Sequence, residues 1–480
     1  MSLVNTTVVP ALKDGQVSVP KENQANALAA LSDQLPPSAF ITDALQIQKF
    51  SNDQSVVQRE ATPLAVLQAS NVAEVQTILR IAHEHEVPVV TRGLGSGLSG
   101  GATAIDGGIV ISLHLMDKII AVHPQDEIAI VEAGVITSEI SKAAAPYGLR
   151  YAPDPASHNI STIGGNIATN AGGLRCAKYG VTRQAVLGLQ VVLADGTLIE
   201  TGQKTIKGVA GLDLTGLFVG SEGSLGVVVQ ATVRLTPLPQ ESCTLVVFSD
   251  DIAGAARAVQ AITASPVQPA ILELMDRNAL AAKAEAEELL AQGNALLLVQ
   301  TDGYGAQKEA EEILQAVTEA GARGRILSDE KEIEYYFAIR RAGYRASVSG
   351  WMVGEDIAVP RSKLVEIFLE IERIAKKYNL KHATVAHAGD GNLHPLFSVA
   401  KTPAEEKNPN AKPPAVLDYA ADELIRAALA LGGTITGEHG VGLAKEPWLE
   451  LELSPQNYAL QKSLKLTFDP KNLLNPGKWL

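Results

Sequence analysis

Apolar positions near the start of the chain recur at the spacings of helices and strands. Residues from about Pro20 to Ile47 predict one or two helices with a break at Pro36-Pro37. Between Pro63 and Val90 the pattern predicts strand, helix and strand. The apolar run "PLAVLQA" and the β-branched "VPVVTR" flank "NVAEVQTILRIAHEH", which has helical spacing and begins with Asn71 as a suitable N-cap.

The pattern continues with strands and then alternates again. "GGIVISL" and "IIAVHPQDEIAIVEAG" predict strands, a helix follows near Thr137–Ala145, and a strand pair turns at Asp195-Gly196. Pro237–Pro239 indicates a domain boundary. Beyond it we predict the strands "CTLVVFS", "AILELMD" and "ALLLVQTDG" and the helices Ile252–Ala264, Asn278–Gln292, Ala306–Ala320 and "EKEIEYYFAIRRAGYRAS". This alternation indicates a separate α+β domain.

The composition excludes several classes of protein. The chain has 480 residues, 46% hydrophobic and 19% charged, as in a soluble globular protein with more than one domain. Its net charge of −13 argues against nucleic acid as a partner. Two cysteines without a CxxC motif exclude an iron–sulfur cluster within the chain and suit a reducing compartment. With no signal-peptide pattern and no transmembrane segment in the sequence, we expect a cytoplasmic protein, and peripheral attachment to a membrane stays compatible.

Gly95, Gly97 and Gly100 spell G-x-G-x-x-G, the fingerprint of a nicotinamide-dinucleotide turn. That turn opens a helix, whereas "GATAIDGGIVISL" predicts turn and strand, so the sequence argues against a nicotinamide cofactor. A turn between strands can still wrap backbone N–H groups around a pyrophosphate, and a loop without a ligand is the alternative. The glycine-rich "PDPASHNISTIGGNIATNAGG" and "VGSEGSLG" favour an extended dinucleotide, because so many glycines are costly in chain entropy.

Two histidines flank a predicted hairpin in "ATVAHAGDGNLHPLFSV". A two-residue turn centred at Asp390-Gly391 would pair His387 with His394, with Cβ atoms about 4.5–5.5 Å apart. Imidazoles so placed can share a metal ion, and Glu438 in "TITGEHGVG" offers a carboxylate as the third ligand. The alternative is two unrelated histidines, one in a core and one on a surface.

Taken together, these segments resemble a known family. "TRGLGSGLSGG", "PDPASHNISTIGGNIATNAGG" and "LFVGSEGSLGVV" are similar to the FAD-binding domain of the vanillyl-alcohol oxidase / p-cresol methylhydroxylase superfamily. "HAGDGNLHP", "TGEHGVG" and "FDPKNLLNPGK" resemble its FAD-linked oxidase C-terminal domain. Within the superfamily, the chain from about Phe50 to Leu480 resembles the glycolate oxidase FAD subunit / D-lactate dehydrogenase group.

The resemblance implies an α+β fold. It consists of a two-subdomain FAD-binding domain of the p-cresol methylhydroxylase type and an α+β cap domain built on a mostly antiparallel sheet. We expect an N-terminal helical segment at residues 1–55, the FAD-binding domain at 56–239, the substrate or cap domain at 240–430, and a C-terminal segment at 431–480 that returns to the flavin site.

The resemblance also implies the residues of the site. It assigns FAD binding to Arg92, Gly93, Gly95, Ser96, Gly97, Leu98, Pro153, Asp154, Thr162, Gly164, Gly165, Asn166, Thr169, Asn170, Gly173, Glu222, Gly226 and Asn475. It assigns a divalent metal (zinc, or manganese or iron) to His387, His394 and Glu438, and the catalytic base to His439. An arginine should hold the substrate carboxylate; "FAIRRAGYRA" offers Arg340, Arg341 and Arg345, and the alignment favours Arg340.

The implied activity is oxidation of a 2-hydroxy acid to the 2-oxo acid, with hydride transfer to flavin N5 and proton removal by His439. The D-2-hydroxyglutarate branch of the family has a lysine and an asparagine where this chain has Gly354 and Leu396, which favours a monocarboxylate such as D-lactate or glycolate. Quinone, a cytochrome, a partner iron–sulfur subunit and oxygen are all compatible electron acceptors. Two alternatives are a metal-dependent hydrolase, which would be colourless, and an FAD-binding subunit of a larger glycolate oxidase complex, inactive without its partners.

We predict that FAD is bound without a covalent bond. Some members of the family bond the flavin through a histidine in the first glycine-rich loop, and the loop Arg92–Gly101 contains none. Acid denaturation of the purified protein should therefore leave all of the flavin absorbance in the small-molecule fraction. Flavin that stays with the precipitated chain would contradict this prediction.

Overall fold

The computed structural model describes residues 19–205, 207–341, 350–408 and 411–480. The described residues divide into two compact units. The glycine-loop unit comprises the described residues up to Gly172, Val181–Leu238 and Glu438–Leu480. The hairpin unit comprises Gly173–Gly180 and the described residues of Pro239–Gly437.

Helices and strands alternate along both units. The α-helices of the described residues are α1 (Lys21–Gln34), α2 (Ala44–Lys49), α3 (Val72–Glu84), α4 (Thr137–Ala144), α5 (Ile163–Thr169), α6 (Cys176–Tyr179), α7 (Thr182–Ala185), α8 (Leu214–Phe218), α9 (Ile252–Ala264), α10 (Arg277–Ala281), α11 (Ala286–Gln292), α12 (Ala306–Glu319), α13 (Glu330–Arg341), α14 (Leu364–Tyr378), α15 (Pro403–Glu406), α16 (Val416–Ala430), α17 (Glu446–Glu452) and α18 (Pro455–Phe468). The strands are β1 (Phe40–Ile41), β2 (Ala65–Gln68), β3 (Val89–Arg92), β4 (Ile109–Ser112), β5 (Ile119–His123), β6 (Ile128–Glu132), β7 (Leu149–Arg150), β8 (Val186–Val192), β9 (Leu198–Gly202), β10 (Val227–Arg234), β11 (Thr236–Pro237), β12 (Ser242–Ser249), β13 (Ile271–Met275), β14 (Ala295–Asp302), β15 (Arg323–Leu327), β16 (Trp351–Gly354), β17 (Ile357–Ala358), β18 (Lys381–His387) and β19 (Asn392–Val399).

The glycine-loop unit contains two main sheets. One has the order β1-β2-β4-β3, with β4 parallel to both β2 and β3. The other is antiparallel and has the order β5-β6-β10-β8-β9. The predicted strand, helix and strand between Pro63 and Val90 are confirmed as β2, α3 and β3, and Asn71 caps α3 by accepting a hydrogen bond from the Glu74 N–H at 3.0 Å. Apolar side chains of α3 face the first sheet and form its core.

No helix follows the first glycine-rich loop within the described residues. The chain runs from the end of β3 at Arg92 to the start of β4 at Ile109 without one, as the sequence predicts. The loop therefore does not lead into the N-terminus of a helix. Since the nicotinamide-dinucleotide motif requires such a helix, that motif is excluded here.

The last segment of the chain is fastened inside the glycine-loop unit. The buried Lys465 ammonium donates hydrogen bonds to the carbonyl oxygens of Ser224 and Leu474, each at 2.8 Å, and is paired with the Asp469 carboxylate. Beside β3, the Asn475 N–H donates to the Val89 carbonyl at 2.8 Å. Because a buried ammonium needs its partners, these contacts fix where Asn475 lies.

The hairpin unit is built on one antiparallel sheet. Its strand order is β15-β12-β14-β13-β18-β19-β16, and β17 pairs with β19. Helices α9, α12 and α14 pack against it. This arrangement agrees with the α+β architecture and mostly antiparallel sheet expected from the sequence.

One predicted helix of the hairpin unit is in fact two. The expected helix over Asn278–Gln292 is interrupted, giving α10 and α11. Leu280 and Leu289 are both fully buried in the same core. Nine residues apart, they would face opposite sides of a continuous helix at 100° per residue, so the break lets both reach the core.

The helices of the described residues fall short of what a bilayer-spanning segment requires, since none combines sufficient length with sufficient apolar character.

Candidate active site

Three glycine-rich segments line one cavity of the glycine-loop unit. The cavity has a volume of about 370 Å³, within the range of small-molecule sites. Of the residues predicted to bind FAD, it is lined by Arg92, Gly93, Gly95, Ser96, Gly97, Leu98, Thr162, Gly164, Gly165, Asn166, Thr169, Glu222 and Gly226. Glu438 and His439 also line it. The structure thus places the glycine-rich loop and the predicted base around one space.

Five predicted FAD residues do not line this cavity: Pro153, Asp154, Asn170, Gly173 and Asn475. Asn170 ends α5 in the left-handed conformation, with φ 52°, and its side chain accepts from the Arg183 N–H. Asn475 lies just behind the lining, where its side-chain N–H donates to the carbonyl oxygens of Gly101 at 3.0 Å and Glu222 at 2.8 Å. Gly173 belongs to the hairpin unit.

The first glycine-rich loop is wrapped around a buried arginine. Arg92 donates from Nη1 to the carbonyl oxygens of Phe50 and Asn52, at 3.0 and 3.1 Å. Gly95 has φ +71°, and a Cβ at this position would collide with the Arg92 guanidinium. Only glycine satisfies both requirements, a left-handed backbone and close approach to the side chain beneath it.

The loop fits a polyphosphate ligand. Within the described residues, no acceptor takes a hydrogen bond from the backbone N–H groups of residues 94–98, and the buried Arg92 Nε also lacks a partner. Consecutive N–H groups without acceptors form an anion-binding concavity, and the guanidinium beneath adds positive charge. The pyrophosphate of a dinucleotide such as FAD has the charge and the acceptor oxygens that these donors need.

The second glycine-rich segment forms a helix that the sequence did not predict. Thr162 caps α5, since its Oγ1 accepts from the Gly165 N–H at 3.3 Å, and Ile163 and Ile167 are buried one turn apart. Gly164 packs on Ala133, where an added Cβ would lie 2.8 Å from the Ala133 Cβ. Threonine followed by isoleucines four residues apart is the sequence signal for this helix, and the low helix propensity of the two glycines hides it.

Glu222 holds the segment that carries the predicted base. Its buried carboxylate accepts hydrogen bonds from the N–H groups of Val441 at 2.7 Å and Gly442 at 2.9 Å. Burial raises the pKa of Glu222 to about 7, although these two N–H groups and Lys478 act in the opposite direction. Glu222, which the resemblance assigned to FAD binding, lines the cavity, and its carboxylate oxygens are directed to the chain that follows His439.

The His439 backbone has a second anchor. The Ser99 hydroxyl donates to the His439 carbonyl at 2.9 Å. The His439 ring itself points toward Glu438, with 3.8 Å between Nε2 and Glu438 Oε1. The predicted base is therefore attached by its backbone to the first glycine-rich loop, while its side chain lines the cavity.

In the hairpin unit, the pairing of the two predicted metal histidines differs from the expected register. His387 lies opposite Asn392, and His394 lies opposite Val385, because a four-residue loop joins the strands where the sequence predicted a two-residue turn. The predicted pairing of His387 with His394 is wrong. A slip of two residues keeps side chains on the same face, and the two rings still lie 5.3 Å apart between centroids.

A glutamate that sequence reasoning missed binds one of these histidines. The Glu273 carboxylate, 1% exposed, lies 2.7 Å from His387 Nδ1 and accepts from Arg340 Nε at 2.6 Å. Burial favours the neutral acid, but Arg340 and His387 outweigh it and hold the pKa of Glu273 below its ordinary value. A lone glutamate in the apolar "AILELMD" was the available signal, because a buried carboxylate requires a cationic partner.

The three candidate arginines differ in environment. Arg340 is largely buried against Glu273, with 12% of its side chain exposed, whereas Arg341 is exposed and paired with Glu334. Arg345 lies outside the described residues.

A buried aspartate fixes the end of the hairpin unit. Asp356 accepts hydrogen bonds from the Asn392 side chain at 2.7 Å and from the Gly437 N–H at 3.0 Å. Its Oδ1 lies 3.8 Å from His394 Nδ1. The hairpin unit therefore ends, at Gly437, beside the strand that carries His394, and Glu438 is the next residue of the chain.

Comparison with known proteins identifies the family. The family model described as FAD linked oxidases, C-terminal domain, matches residues 238–479, and that described as FAD binding domain matches residues 63–202. The chain belongs to the FAD-linked oxidases and is an FAD-dependent oxidoreductase. The resemblance inferred from the glycine-rich segments is confirmed, and with it FAD as the cofactor.

Individual relatives cover nearly the whole chain. It is 41% identical to glycolate oxidase subunit GlcD of Bacillus subtilis, over 88% of this chain and 90% of the relative. It is 36% identical to a D-lactate dehydrogenase of Archaeoglobus fulgidus, over 88% of this chain and 93% of that one. Among solved structures, p-cresol methylhydroxylase with substrate bound matches with a TM-score of 0.78 at 18% identity, over 96% of this chain and 97% of that one, which confirms the fold class.

We predict that Gly95→Ala binds FAD about tenfold more weakly than the parent, while Gly148→Ala binds it as the parent does. Both glycines have φ +71°, but an added Cβ meets the Arg92 side chain at Gly95 and nothing within 4 Å at Gly148. Both variants carry the same backbone strain, and only Gly95→Ala displaces the loop of residues 94–98 that lines the cavity. Losing one or two hydrogen bonds from this loop, at about 1 kcal/mol each, weakens binding about tenfold. Fluorescence titration of the apoproteins with FAD measures this, and equal affinity in both variants would contradict it.

Proposed function

We propose that this protein is an FAD-dependent 2-hydroxyacid dehydrogenase that oxidises a small monocarboxylate of the D-lactate or glycolate type to the 2-oxo acid. The names of the relatives, glycolate oxidase subunit and D-lactate dehydrogenase, support the substrate class. The observation that carries the proposal is the shared cavity of the glycine-loop unit, lined by both the first glycine-rich loop and His439. A flavin site and a proton acceptor in one space are what oxidation of a carbon-bound hydroxyl requires.

His439 is assigned the removal of the hydroxyl proton. When bound, FAD supplies the acceptor for the hydride that leaves the substrate carbon, so that the two electrons and the proton are accounted for. The Ser99 hydroxyl and the Glu222 carboxylate hold the backbone from the His439 carbonyl to Val441, directly after the His439 side chain. A base held in this way keeps its orientation through the reaction.

A divalent cation (zinc, or manganese or iron) is proposed at His387, His394 and Glu438. The close pair of imidazoles supports two of these ligands. The third is supported by the chain itself, because Gly437 is fastened to Asp356 near the His394 ring and Glu438 follows directly. Two imidazoles and one carboxylate form a donor set that such cations accept with positions left open for a substrate. The cation would supply Lewis-acid chemistry, lowering the pKa of the substrate hydroxyl.

Arg340 is proposed to hold the substrate carboxylate. Glu273 occupies its Nε, and within the described residues neither Nη nitrogen has a hydrogen-bond partner. A guanidinium with two free parallel donors matches a carboxylate in bidentate geometry.

The proposed preference for a monocarboxylate substrate rests on two residues that face each other on neighbouring strands. Gly354 and Leu396, at the positions where the D-2-hydroxyglutarate branch has lysine and asparagine, lie directly opposite each other on β16 and β19. Neither side chain can pair with a second carboxylate, which favours a monocarboxylate substrate.

A second candidate is an FAD-binding subunit that requires partner subunits for activity. The relative of Bacillus subtilis is named as a subunit, which favours this arrangement. Reduced FAD must in either case pass electrons to a quinone, a cytochrome, a partner iron–sulfur subunit or oxygen. The two cysteines, Cys176 and Cys243, are not joined in a disulfide, which supports a cytoplasmic location, and peripheral attachment to a membrane is compatible with it.

We predict that D-lactate or glycolate bleaches the flavin absorbance of the purified protein under anaerobic conditions, and that L-lactate does not. Removing oxygen isolates reduction of the flavin from its reoxidation, so the spectrum reports the first half-reaction alone. A yellow protein that no 2-hydroxy acid bleaches until partner subunits are added would favour the second candidate. One that stays oxidised even then would contradict the proposed substrate class.

We also predict that His439→Gln slows this flavin reduction by about 10²- to 10⁴-fold, the usual contribution of a general base. FAD content should stay unchanged, because the backbone anchors of residue 439 remain. His123→Gln is the matched control, since His123 is an exposed residue of β5 that does not line the cavity. Stopped-flow absorbance measures the rates, and a His439→Gln rate within a factor of two of the parent would rule out the assigned base.

A further inference from the structure

A single buried carboxylate joins the proposed metal site to the proposed substrate arginine. Glu273 lies on β13, a central strand of the hairpin-unit sheet, opposite His387 on β18. One carboxylate oxygen is 2.7 Å from His387 Nδ1, and the other accepts from Arg340 Nε at 2.6 Å. Each oxygen therefore serves a different functional side chain.

We propose that Glu273 is a positioning residue that sets both the tautomer of His387 and the orientation of the Arg340 guanidinium. The inference rests on the proposed function, in which His387 binds a cation and Arg340 binds the substrate carboxylate. Glu273 itself is assigned no contact with the cation or with the substrate.

The histidine half of the proposal follows from hydrogen-bond chemistry. An ionised carboxylate only accepts hydrogen bonds, so Nδ1 of His387 must carry the proton in this contact. The lone pair of the neutral ring is then on Nε2, on the far side of the imidazole from Glu273. A carboxylate behind a metal-binding histidine also makes the ring a stronger donor to the cation.

The arginine half follows from which nitrogen is used. The contact to Nε fixes the plane of the guanidinium and leaves both terminal nitrogens for a ligand. Since the same carboxylate holds His387, the distance between the cation and the substrate carboxylate is set by one residue.

Glu273→Gln tests the inference because an amide cannot make both contacts. Its oxygen can accept from only one of the two partners, and its NH₂ group then faces the other. If the NH₂ group faces His387, it forces the proton onto Nε2; if it faces Arg340, two donors oppose each other. We expect this variant to bind Zn²⁺ about 10- to 100-fold more weakly than the parent, the usual effect of losing such a partner. The KM for the 2-hydroxy acid should rise as well.

Asp302→Asn is the matched control. Asp302 is a buried carboxylate of the neighbouring strand β14, paired with Lys178 at 2.6 Å, so its neutralisation also breaks a buried ion pair of the hairpin unit. A general loss of packing or stability would lower Zn²⁺ affinity in both variants. The proposal expects the loss in Glu273→Gln alone.

The measurement is calorimetric titration of the chelator-treated, FAD-loaded protein with Zn²⁺, and in parallel with Mn²⁺. If the parent protein binds neither ion, the metal part of the proposed function is wrong, and the tautomer role of Glu273 is wrong with it. If the parent binds an ion and Glu273→Gln binds it within a factor of two, the metal site stands and the role of Glu273 is overturned.

A second variant covers failure of Glu273→Gln to fold. Glu273→Asp keeps the charge that balances Arg340 but is one methylene too short to reach both partners. It should fold and still bind the ion more weakly than Asp302→Asn does. Parent-like affinity and KM in Glu273→Asp would equally overturn the proposal.

Discussion

The close approach of the first glycine-rich loop to the Arg92 side chain is the constraint on which the cavity of the glycine-loop unit depends. The loop after β3 turns its N–H groups of residues 94–98 away from every acceptor in the described part of the chain, and it does so while lying on the Arg92 side chain. A side chain at Gly95 would lift the loop from the guanidinium.

The segment with the candidate base depends on the same loop. Ser99, at the loop's far end, bonds the His439 carbonyl, and its own carbonyl accepts from the Leu443 N–H at 2.7 Å. Glu222 fixes the residues between these two points. A displacement of the first glycine-rich loop would thus move His439 as well, so that the loop and the proposed base share one framework within the glycine-loop unit.

How much the sequence predicts depends on whether local patterns or tertiary partners decide the structure. The strand, helix and strand before the glycine-rich loop, and the lack of a helix after it, follow from local spacing and are confirmed. The hairpin register depends on its loop, where the Gly391 N–H donates to the His387 carbonyl at 3.0 Å, and an Asp-Gly pair does not reveal that closure. The prediction that His387 and His394 share one face of the sheet is nevertheless correct. Side chains alternate between the two faces along a strand, so a shift of two residues leaves each side chain on the same face.

The contacts that could not be predicted from the sequence are those between residues far apart along the chain. Glu273 meets Arg340 and His387 only because β13 is paired with β18 and lies near α13. Glu222 was assigned to FAD from its motif; it lines the cavity, and its carboxylate also accepts from the N–H of Val441, more than two hundred residues away. For Glu273 the sequence showed an acidic residue among apolar neighbours, which indicates a buried partner but does not identify it.

The division of the chain has a consequence for how the protein is made. The glycine-loop unit receives the residues from Glu438 onward only after the whole hairpin unit has been synthesised. Until then Glu222 has no N–H groups to bind, and the carbonyls later held by Lys465 and Asn475 are uncovered. During translation the glycine-loop unit therefore stays incomplete while the hairpin unit is synthesised. Polar groups that are buried in the finished protein are exposed to water during this time.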